Sequence, residues 1–297
     1  MKRQLAALLL TIFALSLTAC GEKSAESETR TVYAMDTVMN LTVYGGNAAA
    51  LESAEKELHT LDEAVLSRTA EGSELYALNA SDGETVEYGA DDALPALIET
   101  ALTISDATDG AFDPTLAPVL DAWGFTKDTH RVPSADELTE LLSHTGCGKV
   151  RLERTADGYA VTLLDGAQLD LGGIAKGYAA DVLRAQLEQE GVTSAALDLG
   201  GDVFVMGRKT DGSGWRIAVK DPADTESYLG VVTASDKFIV TSGVYERYFE
   251  ENGVRYHHIL DPKTGSPAES GLVSVTVQCE NGAWADALST ACFVLGP

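Results

Sequence analysis

The sequence predicts an α+β fold, a mixed and largely antiparallel sheet with flanking helices. Helical periodicities cluster in the first half of the chain, and short β-rich runs crowd the second half. Near Val150 the texture changes, and the runs Val150–Arg154 and Tyr159–Leu163 flank Asp157-Gly158, the signature of a tight hairpin.

Thr31 to Tyr44 is β-rich and partly alternating, so it reads as a strand or a hairpin that ends at Gly45-Gly46. Asn47 can cap a helix carrying Leu51, Ala54, Leu58, Leu61 and Val65 on one face. A second helix begins near Asp91, accepts Pro95 in its first turn and runs to about Ala107, with Gly110 after it. A third starts at Ser134, where Glu137 three residues on completes a capping box. Gln168 to Leu171 reads as a short strand running into Gly172-Gly173, followed by an amphipathic helix to about Glu190. Strands fit Ala195–Leu199, Val203–Gly207, Trp215–Lys220, Val231–Ala234, Phe238–Val240, Tyr256–Ile259 and Val273–Gln278, and a last helix fits Ala283 to Val294. Leu169-Asp170-Leu171-Gly172-Gly173 recurs as Leu197-Asp198-Leu199-Gly200-Gly201, an echo too short to establish a duplicated unit.

The N-terminus has the pattern of a secretory signal. Lys2 and Arg3 precede an uncharged apolar run from Leu5 to Leu17 that is too short to span a bilayer. The run ends in Leu17-Thr18-Ala19-Cys20-Gly21, which resembles a bacterial lipobox. The expected organisation is therefore a signal peptide over 1–19, a lipidated Cys20 with a polar tether over 20–30, and one domain over 31–297, lipid-anchored at the cell membrane and facing outside the cytoplasm. The formal net charge of −25 leaves no basic footprint for nucleic acid. Cys147, Cys279 and Cys292 are odd in number and fit no zinc spacing, so buried or half-buried thiols are expected.

Four segments carry chemistry. In Asp170-Leu171-Gly172-Gly173-Ile174-Ala175-Lys176-Gly177 two glycines open into a helix N-terminus, where free amides and Lys176 suit a phosphate; an ordinary strand-to-helix turn explains the segment equally well. Asp286 and Thr290 stand four apart on the last helix and can offer oxygen ligands to one Mg²⁺, although a solvated Asp and a packed Thr are the commoner outcome. In Tyr256-His257-His258-Ile259 a strand points the two histidines to opposite faces, so one can be a base and the other a packing residue. Asp109 to Thr115 builds a turn that can present Phe112 and Asp113 to a ring and its polar edge.

Taken in order, Met35-Asp36-Thr37, Asp109 to Thr115 with Pro118, Leu169 to Asp181, Ala196 to Asp202, Trp215 to Pro222, Thr241-Ser242-Gly243 with Glu246-Arg247, His257 to Pro267 and Ala285 to Thr290 resemble the ApbE flavin transferases from about Thr31 onward. The resemblance implies an α+β fold and a Mg²⁺-dependent FAD:protein FMN transferase. Such an enzyme attaches FMN from FAD to a Thr or Ser hydroxyl of an exported target protein and releases AMP. It also implies that Met35, Ala111, Phe112, Asp113, Asp170, Lys176 and Leu260 line the FAD, and that Gly173, Asp286 and Thr290 hold the metal. Lys176 and Asp286 would then serve the chemistry, with His258 as the base candidate. Where many relatives carry an aromatic ring after the first helix, this chain has Ser67-Arg68-Thr69. Relatives also continue with more strand beyond the metal helix, so the expectation is either a C-terminal truncation after Pro297 or an incomplete last sheet with an exposed edge. Two rivals share these residues: an FAD pyrophosphatase that uses water as acceptor, and a flavin-binding or solute-binding lipoprotein without chemistry.

Overall fold

A computed structural model of the chain describes residues 27–125, 127 and 129–297. The expected signal segment, Cys20 and most of the tether lie outside the described residues. Thirteen strands and seven α-helices are present among those described.

The first described strands are β1 (Ser27–Ala34) and β2 (Thr37–Tyr44), which pair as an antiparallel hairpin, so strand structure is already present ahead of the expected Thr31. The hairpin turns at Met35 and Asp36, both with positive φ, as a two-residue turn of primed type requires. Along β2, Met39, Leu41 and Val43 are buried while the residues between them are more open. This is the period-two burial of a sheet with one principal core face.

Asn47 caps α1 (Ala48–His59) by accepting from the Ala50 amide. The helix continues into a π-helical turn, Thr60–Leu66, in which Leu61, Val65 and Leu66 are buried. Two short elements were not expected, α2 (Glu74–Asn79) and β3 (Val86–Gly89). The second expected helix is α3 (Ala93–Ala107), with Pro95 in its first turn. A further unexpected helix, α4 (Ala117–Trp123), precedes α5 (Ala135–Leu142). Ser134 does cap α5, but Glu137 pairs with Arg131, so only one half of the expected capping box forms.

The Asp157-Gly158 hairpin joins β4 (Val150–Arg154) to β5 (Gly158–Leu163), and β3 adds to β5 in a three-stranded antiparallel sheet. Gln168 to Leu171 is not a strand: only Gln168 bridges, to Leu116. The remaining elements are α6 (Ala175–Gln189), β6 (Ala195–Leu199), β7 (Val203–Met206), β8 (Trp215–Asp221), β9 (Asp224–Ala234), β10 (Lys237–Gly243), β11 (Tyr248–Glu251), β12 (Val254–His257), β13 (Ser274–Cys279) and α7 (Gly282–Leu295).

The main sheet has the order β1-β2-β6-β7-β10-β13, and every neighbouring pair in it is antiparallel. Met39, Leu41, Leu197, Leu199, Phe204, Phe238 and Val240 join the core that also holds the buried faces of α1, α6 and α7. The opposite face is partly covered by the β8–β9 ribbon, where Trp215 packs with Val205 and Ile239 and tilts against Tyr44 at 5.3 Å. Cys147 and Cys279 are half-buried, but Cys292 is exposed, against the expectation of buried thiols.

Two glycines set how closely α6 and α7 cross. A Cβ on Gly177 would stand 2.1 Å from the Gly282 carbonyl oxygen, and one on Gly282 would stand 2.2 Å from the Gly177 oxygen. Both contacts are with backbone, which cannot rotate away. Gly177→Ala is therefore expected to cost about 2–3 kcal/mol of unfolding free energy. Urea denaturation would read this as a lower midpoint at constant slope, and an unchanged midpoint would contradict the packing.

Candidate active site

The β1–β2 turn, the β6–β7 turn and the C-terminal end of β10 meet at one end of the main sheet, as the pairing of Met39 with Leu199 and of Ile239 with Val203 requires. A cleft of about 660 Å³ opens there. Its lining includes every residue that the resemblance assigned to the FAD, the metal or the chemistry: Met35, Ala111, Phe112, Asp113, Asp170, Gly173, Lys176, His258, Leu260, Asp286 and Thr290.

Each comes from a locally explicable structure. The Met35 amide donates to Asp62 Oδ2 at 2.9 Å, which ties the hairpin turn to the π-helical turn. Asp113 Oδ1 accepts from the amide and hydroxyl of Thr115 at 2.8 and 2.6 Å, closing the expected turn behind the buried Ala111 and Phe112. Leu260 is buried against Leu116, Val119, Trp123 and Leu138, a separate small core. The Trp123 indole N–H fastens that core by donating to the Gly265 carbonyl at 2.7 Å. The short helix α4 is apolar on most sides, so periodicity does not distinguish it from loop.

At the start of α6, where an anion site and an ordinary turn were equally expected, several amides have partners within the protein. The Gly172 amide donates to Asp170 Oδ1, those of Ile174 and Ala175 donate to the Leu171 carbonyl, and that of Gly177 donates to Asp286 Oδ2 at 3.1 Å. Four amides near the turn are thus used internally. Positive charge comes instead from Lys176, whose Nζ lies 3.1 Å from Asp202 Oδ2 and 3.6 Å from Asp286 Oδ2. Burial alone would lower the Lys176 pKa, but the two carboxylates outweigh it and raise the value. Burial, and then Asp286, push the Asp202 pKa up against the pull of Lys176. One ammonium thus faces two buried carboxylates, and the raised Asp202 pKa means that a proton or a second cation is needed to balance them. Asp202 was not assigned a role from the sequence, although it ends the second Leu-Asp-Leu-Gly-Gly run.

On α7, Asp286 is 3% exposed and Thr290 follows one turn later. Ser242 Oγ is 3.5 Å from Thr290 Oγ1, and a Cβ on Gly173 would stand 3.7 Å from the same hydroxyl. The donors that gather here are all oxygen. Among the described residues no three His, Cys, Asp or Glu side chains converge as metal ligands. A site here must therefore draw on hydroxyl and backbone oxygens as well as on carboxylate.

β12 ends at His257, one residue short of the second histidine. The two rings do diverge. His257 is buried edge-on against Phe293 with centroids 5.5 Å apart, while His258 lines the cleft. Nδ1 of His258 lies 3.1 Å from the Arg247 carbonyl oxygen. A carbonyl only accepts, so Nδ1 carries the proton and Nε2 keeps the lone pair. Burial, then the Arg247 and Lys176 cations, lower the imidazole pKa to about 4, which the hydrogen bond to the Arg247 carbonyl only partly offsets.

The segment Ser67-Arg68-Thr69 contributes a residue that the sequence did not reveal as structural. Arg68 donates from Nε to Asp170 Oδ2 and from Nη2 to Asp121 Oδ1, both at 2.6 Å, with its side chain 11% exposed. Nothing in the sequence spacing links positions 68, 121 and 170. Arg68→Ala would leave Asp170, which lines the cleft, and Asp121 beside it without this cation. Because the carboxylates are only partly buried, the loss is expected at about 2–3 kcal/mol, below that of a fully buried pair. Chemical denaturation would measure it, and a loss under about 0.5 kcal/mol would show the pairs to be ordinary surface contacts.

Comparison with known proteins bears on the whole chain. The sequence profile of the ApbE family matches residues 35–297. The FAD:protein FMN transferase of Treponema pallidum (strain Nichols) is 38% identical, over 94% of this chain and 82% of that protein. The FAD:protein FMN transferase of Escherichia coli (strain K12) is 32% identical, over 89% of this chain and 77% of its own length. Among solved structures, the ApbE protein of Thermotoga maritima superposes with a TM-score of 0.83 at 37% identity, covering 91% of this chain and 87% of that one. The apo flavinyl transferase ApbE of Pseudomonas stutzeri gives a TM-score of 0.79 at 34% identity, covering 92% and 86%. With its fold and nearly its full described length in common with these proteins, the chain belongs to the ApbE family.

Proposed function

We propose that this chain transfers FMN from FAD to a Thr or Ser hydroxyl of a target protein, with release of AMP. The observation that carries the reading is the gathering of Lys176, Asp286, Thr290 and His258 in the same cleft as Met35, Phe112, Asp113, Asp170 and Leu260. Phosphate chemistry and a surface suited to a flavin or adenine ring meet there. Relatives that cover most of the chain carry that activity in their names.

In the reaction the acceptor oxygen forms a bond to the phosphorus next to FMN, the bridging P–O bond breaks, and AMP leaves with the electron pair. Lys176 is held by its two carboxylates where it can meet charge on the leaving phosphate. His258 takes the acceptor hydroxyl's proton at Nε2, since Nδ1 is engaged with the Arg247 carbonyl. Asp286 and Thr290, with the Gly173 backbone oxygen, fit a hard divalent cation by donor type. The two carboxylates that share the single Lys176 ammonium favour a cation there as well, in place of the proton that the raised Asp202 pKa otherwise holds. We assign this site to Mg²⁺, which when bound would neutralise pyrophosphate charge.

Mixing the chain with FAD, Mg²⁺ and an acceptor protein should give covalent flavin fluorescence on a denaturing gel. His258→Ala should lower the transfer rate at least about 10²-fold while FAD still binds; undiminished transfer would remove the base role. AMP and free FMN without labelled acceptor would instead identify an FAD pyrophosphatase, and intact bound FAD a binding protein. Since His258 is the base in its neutral form, activity should persist as pH falls and be lost only near the free-enzyme value of about 4. An acid limb of kcat/KM at the ordinary imidazole value near 6.5 would contradict this environment.

We also propose that the domain works outside the cytoplasm on a lipid anchor at Cys20. The full chain should incorporate labelled palmitate in a bacterial host and Cys20→Ser should not; equal labelling of both would end this proposal.

A further inference from the structure

Asp202 has a position that the proposed chemistry does not yet use. It follows Gly200-Gly201 in the turn after β6, where its carbonyl accepts from the Leu199 amide at 2.9 Å and the Gly201 amide donates to Asp198 Oδ1 at 2.9 Å. These bonds fix the backbone that carries a carboxylate only 5% exposed. Among the described residues its one ion pair is with Lys176, at 3.1 Å, and its Oδ2 makes no well-aligned hydrogen bond.

Lys176 also stands 3.6 Å from Asp286 Oδ2, an oxygen that already accepts from the Gly177 amide. An ammonium so close to a carboxylate competes with any cation for it, through both the space it fills and like-charge repulsion. The same lysine is needed near the substrate phosphates, so it cannot simply be absent. It must be held to one side.

We infer that Asp202 is a positioning residue that draws the Lys176 ammonium away from Asp286 and so leaves that carboxylate free for a divalent cation. This rests on the reading of Asp286 and Thr290 as metal ligands. The shorter of the two Lys176 contacts is to Asp202, and Asp202 comes from the turn after β6 while Asp286 comes from α7. The two carboxylates hold the ammonium from different elements, which lets one keep it when the other is taken by metal.

The test is a double-mutant cycle read on the metal itself, by the electron paramagnetic resonance of free Mn²⁺ titrated with and without FAD. Asp202→Asn should weaken Mn²⁺ binding at least tenfold, because Lys176 then settles on Asp286. Lys176→Met should tighten binding. In the Lys176→Met background, Asp202→Asn should cost less than threefold, because no ammonium remains to be held. Asp202→Glu keeps the counter-charge and should stay within about threefold of the unsubstituted chain, which guards against a general folding effect of the Asn variant. An equal loss from Asp202→Asn in both backgrounds would make Asp202 a direct ligand and overturn the inference. No loss in the Lys176 background would overturn it as well. If the unsubstituted chain binds no Mn²⁺ in either condition, the metal reading fails and takes this inference with it. Flavin transfer with normal Mn²⁺ binding but background-independent losses would leave the function standing and reject only the role of Asp202.

Discussion

The crossing of α6 and α7 is the constraint on which the site depends. Each helix supplies a carboxylate to the first turn of the other. Asp181 on α6 accepts from the Gly282 and Ala283 amides at 2.9 Å, and Asp286 on α7 accepts from the Gly177 amide at 3.1 Å. Helix N-termini carry unsatisfied amides and a partial positive charge, so both acids stand where they are stabilising. The close approach of Gly177 and Gly282 makes this exchange geometrically possible. With the helices locked, Lys176 has little choice but to lie beside Asp286, and the turn after β6 brings Asp202 to its other side.

The electrostatics follow from that arrangement. An acidic chain of net charge −25 is a poor partner for a dianionic pyrophosphate. The cations nearest the cleft offset this only in part, because Arg68 pairs with Asp121 and Asp170, and Lys176 shares its charge with Asp202 and Asp286. Among the described residues, Arg247 and Lys176 line the cleft as cations that can meet phosphate, beside the cation site proposed at Asp286 and Thr290. This charge balance is what favours the divalent cation proposed for Asp286 and Thr290. The internal use of the amides at Gly172, Ile174, Ala175 and Gly177 leaves the helix terminus fewer free donors for an anion than its glycines suggest.

Much of this was legible in the sequence where a signal is local. Asn47 and Ser134 acted as caps, Asp157-Gly158 made its hairpin, and the burial of Met39, Leu41 and Val43 followed the alternation of a strand. The spacing of Asp286 and Thr290 placed both on one side of a helix that does reach the cleft. What was missed is either short or non-local. Glu74–Asn79, Val86–Gly89 and Tyr248–Glu251 are too brief to show a period. Gln168 to Leu171 has strand composition but is held by other means: the Asn79 side chain pairs with the Leu169 backbone, and the Asp170 amide donates to the Pro114 carbonyl. The Arg68 clamp and the Lys176–Asp202 pair join residues far apart in the chain, and only the tertiary fold brings them together.

The central claim is that α6 and α7 bring Asp286 and Thr290 together as a cation site facing the substrate phosphates. A crystal soaked with Mn²⁺ and FAD and measured at the manganese absorption edge tests it directly. The account predicts an anomalous peak bonded to the Asp286 carboxylate and Thr290 hydroxyl, with Lys176 still on Asp202. A peak elsewhere in the cleft, or a saturated crystal with Lys176 seated on Asp286 and no peak beside it, would contradict it.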